Sequence, residues 1–300
     1  MNNNQFSVLH YLRRSDNRTA LYFLASLLGE FTGTIELICV EEHIPDILDD
    51  SRRELARKQR EEHEPPDPET LISRAKTTLE ELGPKFSVSA RISSGDPVKE
   101  VLNQLDREVY DLLSLEAHGR GGFRRTILGA HVNELVQKSP IPTLVHKGEL
   151  KECEQFLIHV PNDEDRCASL VTYFADLVEG TKPVITFLTV LPDEDEKFEG
   201  YFSGEEDYLK KSIKNYDREE FRYLKIARDI LNDRDMDAED RYRIGNTQEE
   251  IITEAKEGRY DLMAFFPEKK NILTNLWSGD KSLELMQEID ISFLKYQNSG

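Results

Sequence analysis

The sequence contains little cysteine, and this shortage excludes two kinds of architecture. Only three cysteines occur among 300 residues (Cys39, Cys153 and Cys167), and no two of them form a CxxC pair. An odd and scattered set argues against a disulfide framework, and its spacing is not that of zinc ligands. We therefore expect reduced, buried thiols and no metal site.

Long apolar runs are also missing. No run approaches the roughly 20 apolar residues that a membrane-spanning helix needs. The first residues, MNNNQFSVLHYLRR, lack the basic start, the apolar centre and the cleavage site of a secretory signal. We therefore expect a cytoplasmic protein with no membrane partner.

Positive charge is the third shortage, because 39 Lys and Arg stand against 58 Asp and Glu, a net charge of −19. Residues 1–150 carry 19 basic and 24 acidic side chains, whereas residues 151–300 carry 20 and 34. A field of this sign repels a phosphate backbone. We therefore expect no nucleic-acid partner.

The chain is, by contrast, rich in internal similarity. Shifted by 150 positions, residues 95–145 align without a gap with residues 245–295, and 11 of the 51 columns are identical. Chance would give about three at ordinary residue frequencies. The repeat predicts two copies of one domain, residues 1–149 and 150–300.

Strand-like and helix-like segments alternate within each copy. The strand patterns of the first copy are VLHYL (8–12), TIELICV (34–40), KFSVSARI (85–92), YDLLSL (110–115) and IPTLVH (141–146), and four helical patterns separate them. Asp96 and Pro97 are expected to be the N-cap and first residue of one helix. This alternation predicts an α/β fold of two tandem open-sheet domains, each a five-stranded parallel sheet with helices on both faces.

The motifs in this order resemble the universal stress protein A family over nearly all of both halves. The resemblance rests on the GDP turn (95–97), the loop AHGRGG (117–122), the helix opening LGAHVNELV (128–136) and the ending SPIPTLVH (139–146). It implies the strand order 3-2-1-4-5, and ATP bound in some members where strands 1 and 4 end and the sheet order reverses. It also implies that the last strands of the two halves pair as an intramolecular pseudo-dimer, and a homodimer of chains remains possible.

Nucleotide-binding members of this family carry the motif Gly-x2-Gly-x9-Gly-Ser/Thr. On this sequence its second and third glycines fall on Gly119 and Gly129, whereas Glu116 replaces the first glycine and Ala130 the hydroxyl residue. A missing hydroxyl removes a hydrogen bond, and we expect Glu116 to bring negative charge towards a triphosphate. Nucleotide binding in the first half should therefore be weak or absent.

A cationic pocket is the alternative interpretation of the same loop. Arg13 follows the first strand, where binding members carry an aspartate, and it could join the loop arginines in holding a nucleotide or small anion. The other possibility is that Arg124 and Arg125 lie on a solvated helix face. The candidate binding residues are Arg13, Gly119, Arg120, Gly122, Gly129 and Ala130.

The second copy keeps less of the motif. Its first strand is followed by Pro161, its loop reads PEKKNI (267–272), and of the glycines only Gly279 remains, followed by Asp280. An acidic residue beside the phosphate position has the wrong sign. We therefore expect no nucleotide in the second half, and we expect Trp277 to fill the crevice.

These features favour a non-catalytic stress-response or signalling module that needs no cofactor and acts through contacts with protein partners of unknown identity. The alternative is an ATP-binding protein that uses the first-half loop, with slow ATP hydrolysis. His118 is interpreted as a turn residue. The charge-rich segments 41–69 and 193–231 are expected to pack helices on the sheet, with partner docking as the alternative.

Overall fold

A computed structural model of the chain describes residues 5–13, 18–29, 32–41, 67–82, 86–117, 128–148, 152–191, 221–267 and 285–297. Its strands are β1 (Gln5–Leu12), β2 (Thr32–Glu41), β3 (Phe86–Ser94), β4 (Leu112–Glu116), β5 (Thr143–His146), β6 (Gln155–His159), β7 (Val184–Leu191), β8 (Ala238–Ile244), β9 (Leu262–Phe265) and β10 (Ser292–Lys295). Its helices are α1 (Thr19–Leu28), α2 (Pro68–Glu81), α3 (Pro97–Arg107), α4 (Ala130–Lys138), α5 (Glu164–Leu177), α6 (Arg222–Asn232) and α7 (Thr247–Glu257). The five strand segments predicted for the first half match β1 to β5.

The strands of the described residues form one sheet in the order β3-β2-β1-β4-β5-β10-β9-β6-β7-β8. Each half of this sheet has the order 3-2-1-4-5 in its own numbering, and all pairs within a half are parallel. The halves meet where β5 and β10 pair antiparallel, with Leu144 opposite Leu294. The predicted fold class is therefore confirmed.

Helices cover both faces of the sheet, as predicted. One face packs against α1, α2, α5 and α6, and the other against α3, α4 and α7. Val8 and Leu112 belong to the first of these cores, whereas their neighbours Leu9 and Leu113 belong to the second, because successive strand residues point to opposite faces. The first face is called the α1 face below, and the second the α4 face.

Equivalent positions of the repeat form the same turn in both halves. Asp96 caps α3, since its carboxylate accepts a hydrogen bond of 2.9 Å from the Lys99 amide, and Pro97 is the first helical residue, as predicted. Asn246 caps α7 in the same way. Gly95 and Gly245 precede these caps with φ of 141° and 142°, a conformation that favours glycine.

The boundary predicted between residues 149 and 150 lies outside the described residues and stays a prediction. Most of the two charge-rich segments lies outside as well. Within the described part, Phe221, Tyr223 and Leu224 are buried against the α1 face, which supports a packed helix at the end of the second segment. No helix among the residues described is long and apolar enough to cross a membrane.

Candidate functional site

Arg13 and Gly129 come together where the sheet order reverses, between β1 and β4. Arg13 follows the last residue of β1, and Gly129 is the N-cap of α4. A Cβ atom added to Gly129 would lie 3.0 Å from Nη1 of Arg13, so the guanidinium lies against the glycine backbone. A side chain at this position would require the guanidinium to shift by a few tenths of an ångström, whereas glycine allows the approach as it stands.

This contact places a positive group at the positive end of a helix. No side chain caps the first amides of α4, and Ala130 has no hydroxyl to offer. Nη1 of Arg13 is buried and has no hydrogen-bond partner among the described residues. A guanidinium and uncapped amides at a helix N-terminus both favour an anion, so the arrangement can hold a phosphate, sulfate or carboxylate group.

The other predicted members of the site cannot be placed. Gly119, Arg120 and Gly122 lie outside the described residues, as do His118 and the Arg124–Arg125 pair. The structure therefore brings together Arg13, Gly129 and Ala130 from the predicted set.

A second polar group lies under the same strand ends, on the α1 face. Nδ1 of His10 is 2.9 Å from Oγ of Ser114, its register partner on β4. Glu116 and His146 are register partners on β4 and β5, and all four side chains are at most 6% exposed. Burial, and then the neighbouring His146, lower the pKa of His10 to about 4, so its ring is neutral near pH 7.

The strand alternation corrects the expectation for Glu116. Its side chain shares the α1 face with Leu112 and Ser114, whereas Gly129 begins a helix on the α4 face. Its carboxylate therefore points away from the helix end that would hold a phosphate, and charge repulsion is not a reason to exclude an anion there. The missing hydroxyl at Ala130 remains as a departure from the family motif.

Aromatic side chains occupy the corresponding place in the second half. Phe266 and Tyr296 stand where the first half has Glu116 and His146, and their rings meet edge to face with centroids 5.6 Å apart. Tyr173 packs on Tyr296 at 5.0 Å, and the Arg166 guanidinium lies 5.4 Å from the Phe266 ring centre. On the α1 face, the second half thus has packed aromatic rings where the first half has a carboxylate and an imidazole.

Sequence reasoning missed both of these clusters. Their signal was present in the repeat alignment, where Glu116 stands opposite Phe266 and His146 opposite Tyr296. Trp277, Gly279 and Asp280 lie outside the described residues, so the predicted tryptophan plug stays a prediction. Pro161 follows β6 at a half-buried position.

The described residues offer no arrangement of three or more His, Cys, Asp or Glu side chains that could hold a metal ion. All three cysteines are buried and free, as the sequence predicts. Burial raises the pKa of the Cys167 thiol to about 12 and that of Cys153 further still, so neither is a thiolate near neutral pH.

Comparison with known proteins agrees with this fold. A model of the universal stress protein family matches residues 14–147. The structure is similar to a universal stress protein from Archaeoglobus fulgidus DSM 4304, with a TM-score of 0.66 and 15% identity over 100% of both chains. It is also similar to a proposed universal stress protein from Pseudomonas aeruginosa UCBPP-PA14, with a TM-score of 0.62 and 16% identity over 98% of this chain and 93% of the other. No curated protein matches the chain.

At these identities the structural likeness concerns the fold, and the family assignment rests on the match to residues 14–147. That match begins just after β1 and covers α1 to β5, so it includes Gly129 but not Arg13. Residues 14–147 therefore match the universal stress protein family, and the whole chain shares the fold of the two structures named above.

Proposed function

We propose that this protein is a non-catalytic stress-response module that acts through protein contacts, with no nucleotide site in its second half and at most a weak one in its first. The observation that carries this proposal is the exchange of Glu116 and His146 for the packed rings of Phe266 and Tyr296. Packed rings in place of a carboxylate and an imidazole offer a polar ligand fewer hydrogen-bond partners on that side.

The first half supports a non-catalytic role for a different reason. His10 and Ser114 have the residue types of a nucleophile and its base, but they are 3% and 1% exposed and face the core of the α1 face. A catalytic pair must reach a substrate, and this pair is covered by α1. We therefore interpret it as a buried polar contact that joins β1 to β4.

Isothermal titration of the purified chain with ATP, ADP and AMP tests this proposal. We expect no saturable binding in the micromolar range for any of the three, in the presence or absence of Mg²⁺. Micromolar ATP binding would contradict the proposal for the first half. A stoichiometry of two per chain would contradict it for both halves.

A second candidate function is supported by one specific contact, that of Arg13 with Gly129. In this candidate the first half binds the phosphate of a nucleotide, or a small anion, between the Arg13 guanidinium and the α4 amides. The arginine would take over part of the role that a hydroxyl at position 130 has in binding members.

Two substitutions distinguish the candidates. Ala130→Ser restores the hydroxyl and should raise phosphate or ATP affinity by about tenfold if the site is functional, the effect of one added hydrogen bond. Arg13→Gln should abolish the same binding, whereas Arg107→Gln, an exposed charge in the last turn of α3, serves as the matched control. No binding by the parent chain and no gain with Ala130→Ser would contradict the second candidate.

A further inference from the structure

Two buried lysines reach across the line where the two halves meet. Lys147, just after β5, is 3% exposed, and its ammonium donates hydrogen bonds of 2.7 Å to the Met286 carbonyl and 2.5 Å to the Ile289 carbonyl. Both carbonyls end the helical turn that precedes β10. Lys147 thus caps a helical C-terminus that belongs to the other half of the sheet.

Lys295 makes the reciprocal contact. It lies on β10, is 6% exposed, and its ammonium donates a 2.6 Å hydrogen bond to the Val136 carbonyl in the last turns of α4. Gln297 adds a hydrogen bond to the Ser139 carbonyl. The accepting positions 136 and 139 are related to 286 and 289 by the 150-residue repeat, so each half has the same pair of carbonyls capped from the opposite half.

The strands between these lysines do little to define their own register. β5 and β10 contain four residues each, and three register pairs join them. Every side chain of both strands is buried. Because side chains alternate with a period of two, a slip by two residues would keep each of them on its present face.

A slip of this size is incompatible with the lysine contacts. Two residues of strand correspond to a displacement of about 6.7 Å, whereas a hydrogen bond is lost beyond about 3.2 Å. Burial disfavours the charged form of both lysines and lowers the pKa of each to about 8. Keeping these ammonium groups buried therefore costs free energy. Buried charges with such a cost are best attested where they select one register over others.

We propose that Lys147 and Lys295 set the register of β5 against β10 and thereby fix how the two halves join. Burial lowers the pKa of Lys147, and the negative charges of Asp290 and Glu288 act in the opposite direction. The Phe293 ring lies 5.6 Å from the Lys147 ammonium. One lysine comes from each half, so neither half alone contains the complete set of contacts that fixes the register.

Disulfide trapping tests this register directly. Leu144→Cys with Leu294→Cys reports the observed register, whereas Leu144→Cys with Ser292→Cys or with Tyr296→Cys reports a slip by two residues in either direction. In the parent chain we expect only the first pair to cross-link. In the Lys147→Met, Lys295→Met background, the ratio of observed to slipped cross-link should fall by about tenfold for each lysine removed.

The controls separate register from general damage. Lys147→Arg with Lys295→Arg keeps charge and donors and should retain the parent ratio, and Lys138→Met removes an exposed lysine from α4. If the double methionine variant does not fold, each single variant is measured in its place. The proposal is overturned if the methionine variants keep the parent cross-linking ratio.

Discussion

At the scale of single residues, side chains at the end of β1 lie on different faces of the sheet. His10 is buried on the α1 face against Ser114, whereas Arg13 lies beside Gly129 at the start of α4. The same alternation turns Glu116 away from that helix end. A substitution near the crevice must therefore be interpreted by the face that its side chain occupies.

Acid should weaken the packing around His10. Its native pKa is about 4 against an ordinary value of 6.5, so between these pH values the unfolded chain binds the proton that the native chain does not. The free energy of unfolding should fall as pH drops through this window, by up to about 3 kcal/mol at its lower end. His10→Gln, which can still bond to Ser114, should remove this part of the pH dependence in urea titrations. An unchanged pH profile in the variant would contradict the assignment.

Tyr110 and Tyr260 occupy the same position of the repeat, and each donates a hydrogen bond to a carboxylate. The carboxylate comes from a strand in the first half and from a helix in the second. Tyr110 donates a 2.6 Å hydrogen bond to Glu36 on β2 and accepts one of 2.7 Å from Gln104 on α3. In the second half, Tyr260 donates instead to Glu254, which stands at the repeat position of Gln104. Thr186 on β7 stands where Glu36 stands on β2, since the two have equivalent register partners on β6 and β1. The carboxylate has therefore changed places between strand and helix.

Moving the carboxylate of the first half from position 36 to position 104 takes two substitutions, and we expect their effects on the free energy of unfolding to be non-additive. Glu36→Thr removes the carboxylate that accepts hydrogen bonds from the Tyr110 hydroxyl and from Arg91, and Gln104→Glu places a second carboxylate at the same hydroxyl, so each should cost about 1–3 kcal/mol of unfolding free energy. The double substitution restores one carboxylate and should cost less than the sum of the singles by about 1 kcal/mol or more. A urea-denaturation cycle measures this coupling, and strict additivity would show that the two positions act independently.

At the scale of elements, helix capping gives a prediction with a matched control. Asp96→Ala removes the acceptor for the Lys99 amide at the start of α3 and should lower the unfolding free energy by about 1 kcal/mol. Asp106→Ala removes an exposed carboxylate from the same helix without touching a cap, and its effect should be within about 0.5 kcal/mol of zero. Equal effects of the two substitutions would mean that net charge, not capping, is responsible.

The elements themselves could be predicted because their signals are local. Hydrophobic periodicity marked the strands, and Asp96 with Pro97 marked a helix start. Identical columns of the repeat also have structural causes: Asp111 and Asp261 each accept a 2.8 Å hydrogen bond from the first strand of their half. The site was harder to predict, because the contact of Arg13 with Gly129 joins residues 116 positions apart and depends on which face each occupies.

At the scale of the whole molecule, the two halves share one sheet but differ in what they place at the crevice. On the α1 face the first half has Glu116 and His146 there, and the second half has Phe266 and Tyr296. The acidic excess is also concentrated in the second half, which makes that half the less suited to an anionic ligand. Lys147 connects the two, since it follows His146 of the first crevice and caps the second half.

Alkaline pH should reveal the cost of the lysines between the halves. Both have a native pKa of about 8 against an ordinary 10.5, so between these values the native chain has released protons that the unfolded chain still binds. Their contribution to the unfolding free energy should therefore rise with pH above 8, by up to about 3 kcal/mol for each lysine. Subtracting the pH profile of Lys147→Met, Lys295→Met isolates this rise from the opposing titration of the buried thiols. A flat difference would contradict it.

The central claim, that the second half has lost its nucleotide site and the first retains at most an anion-binding remnant, is tested most directly by hydrogen exchange with and without ATP. With ATP in the micromolar range we expect no new protection in residues 128–138 or 262–267, and with millimolar phosphate or ATP only the first segment should respond. Protection of residues 262–267, or of both segments at micromolar ATP, would contradict the account.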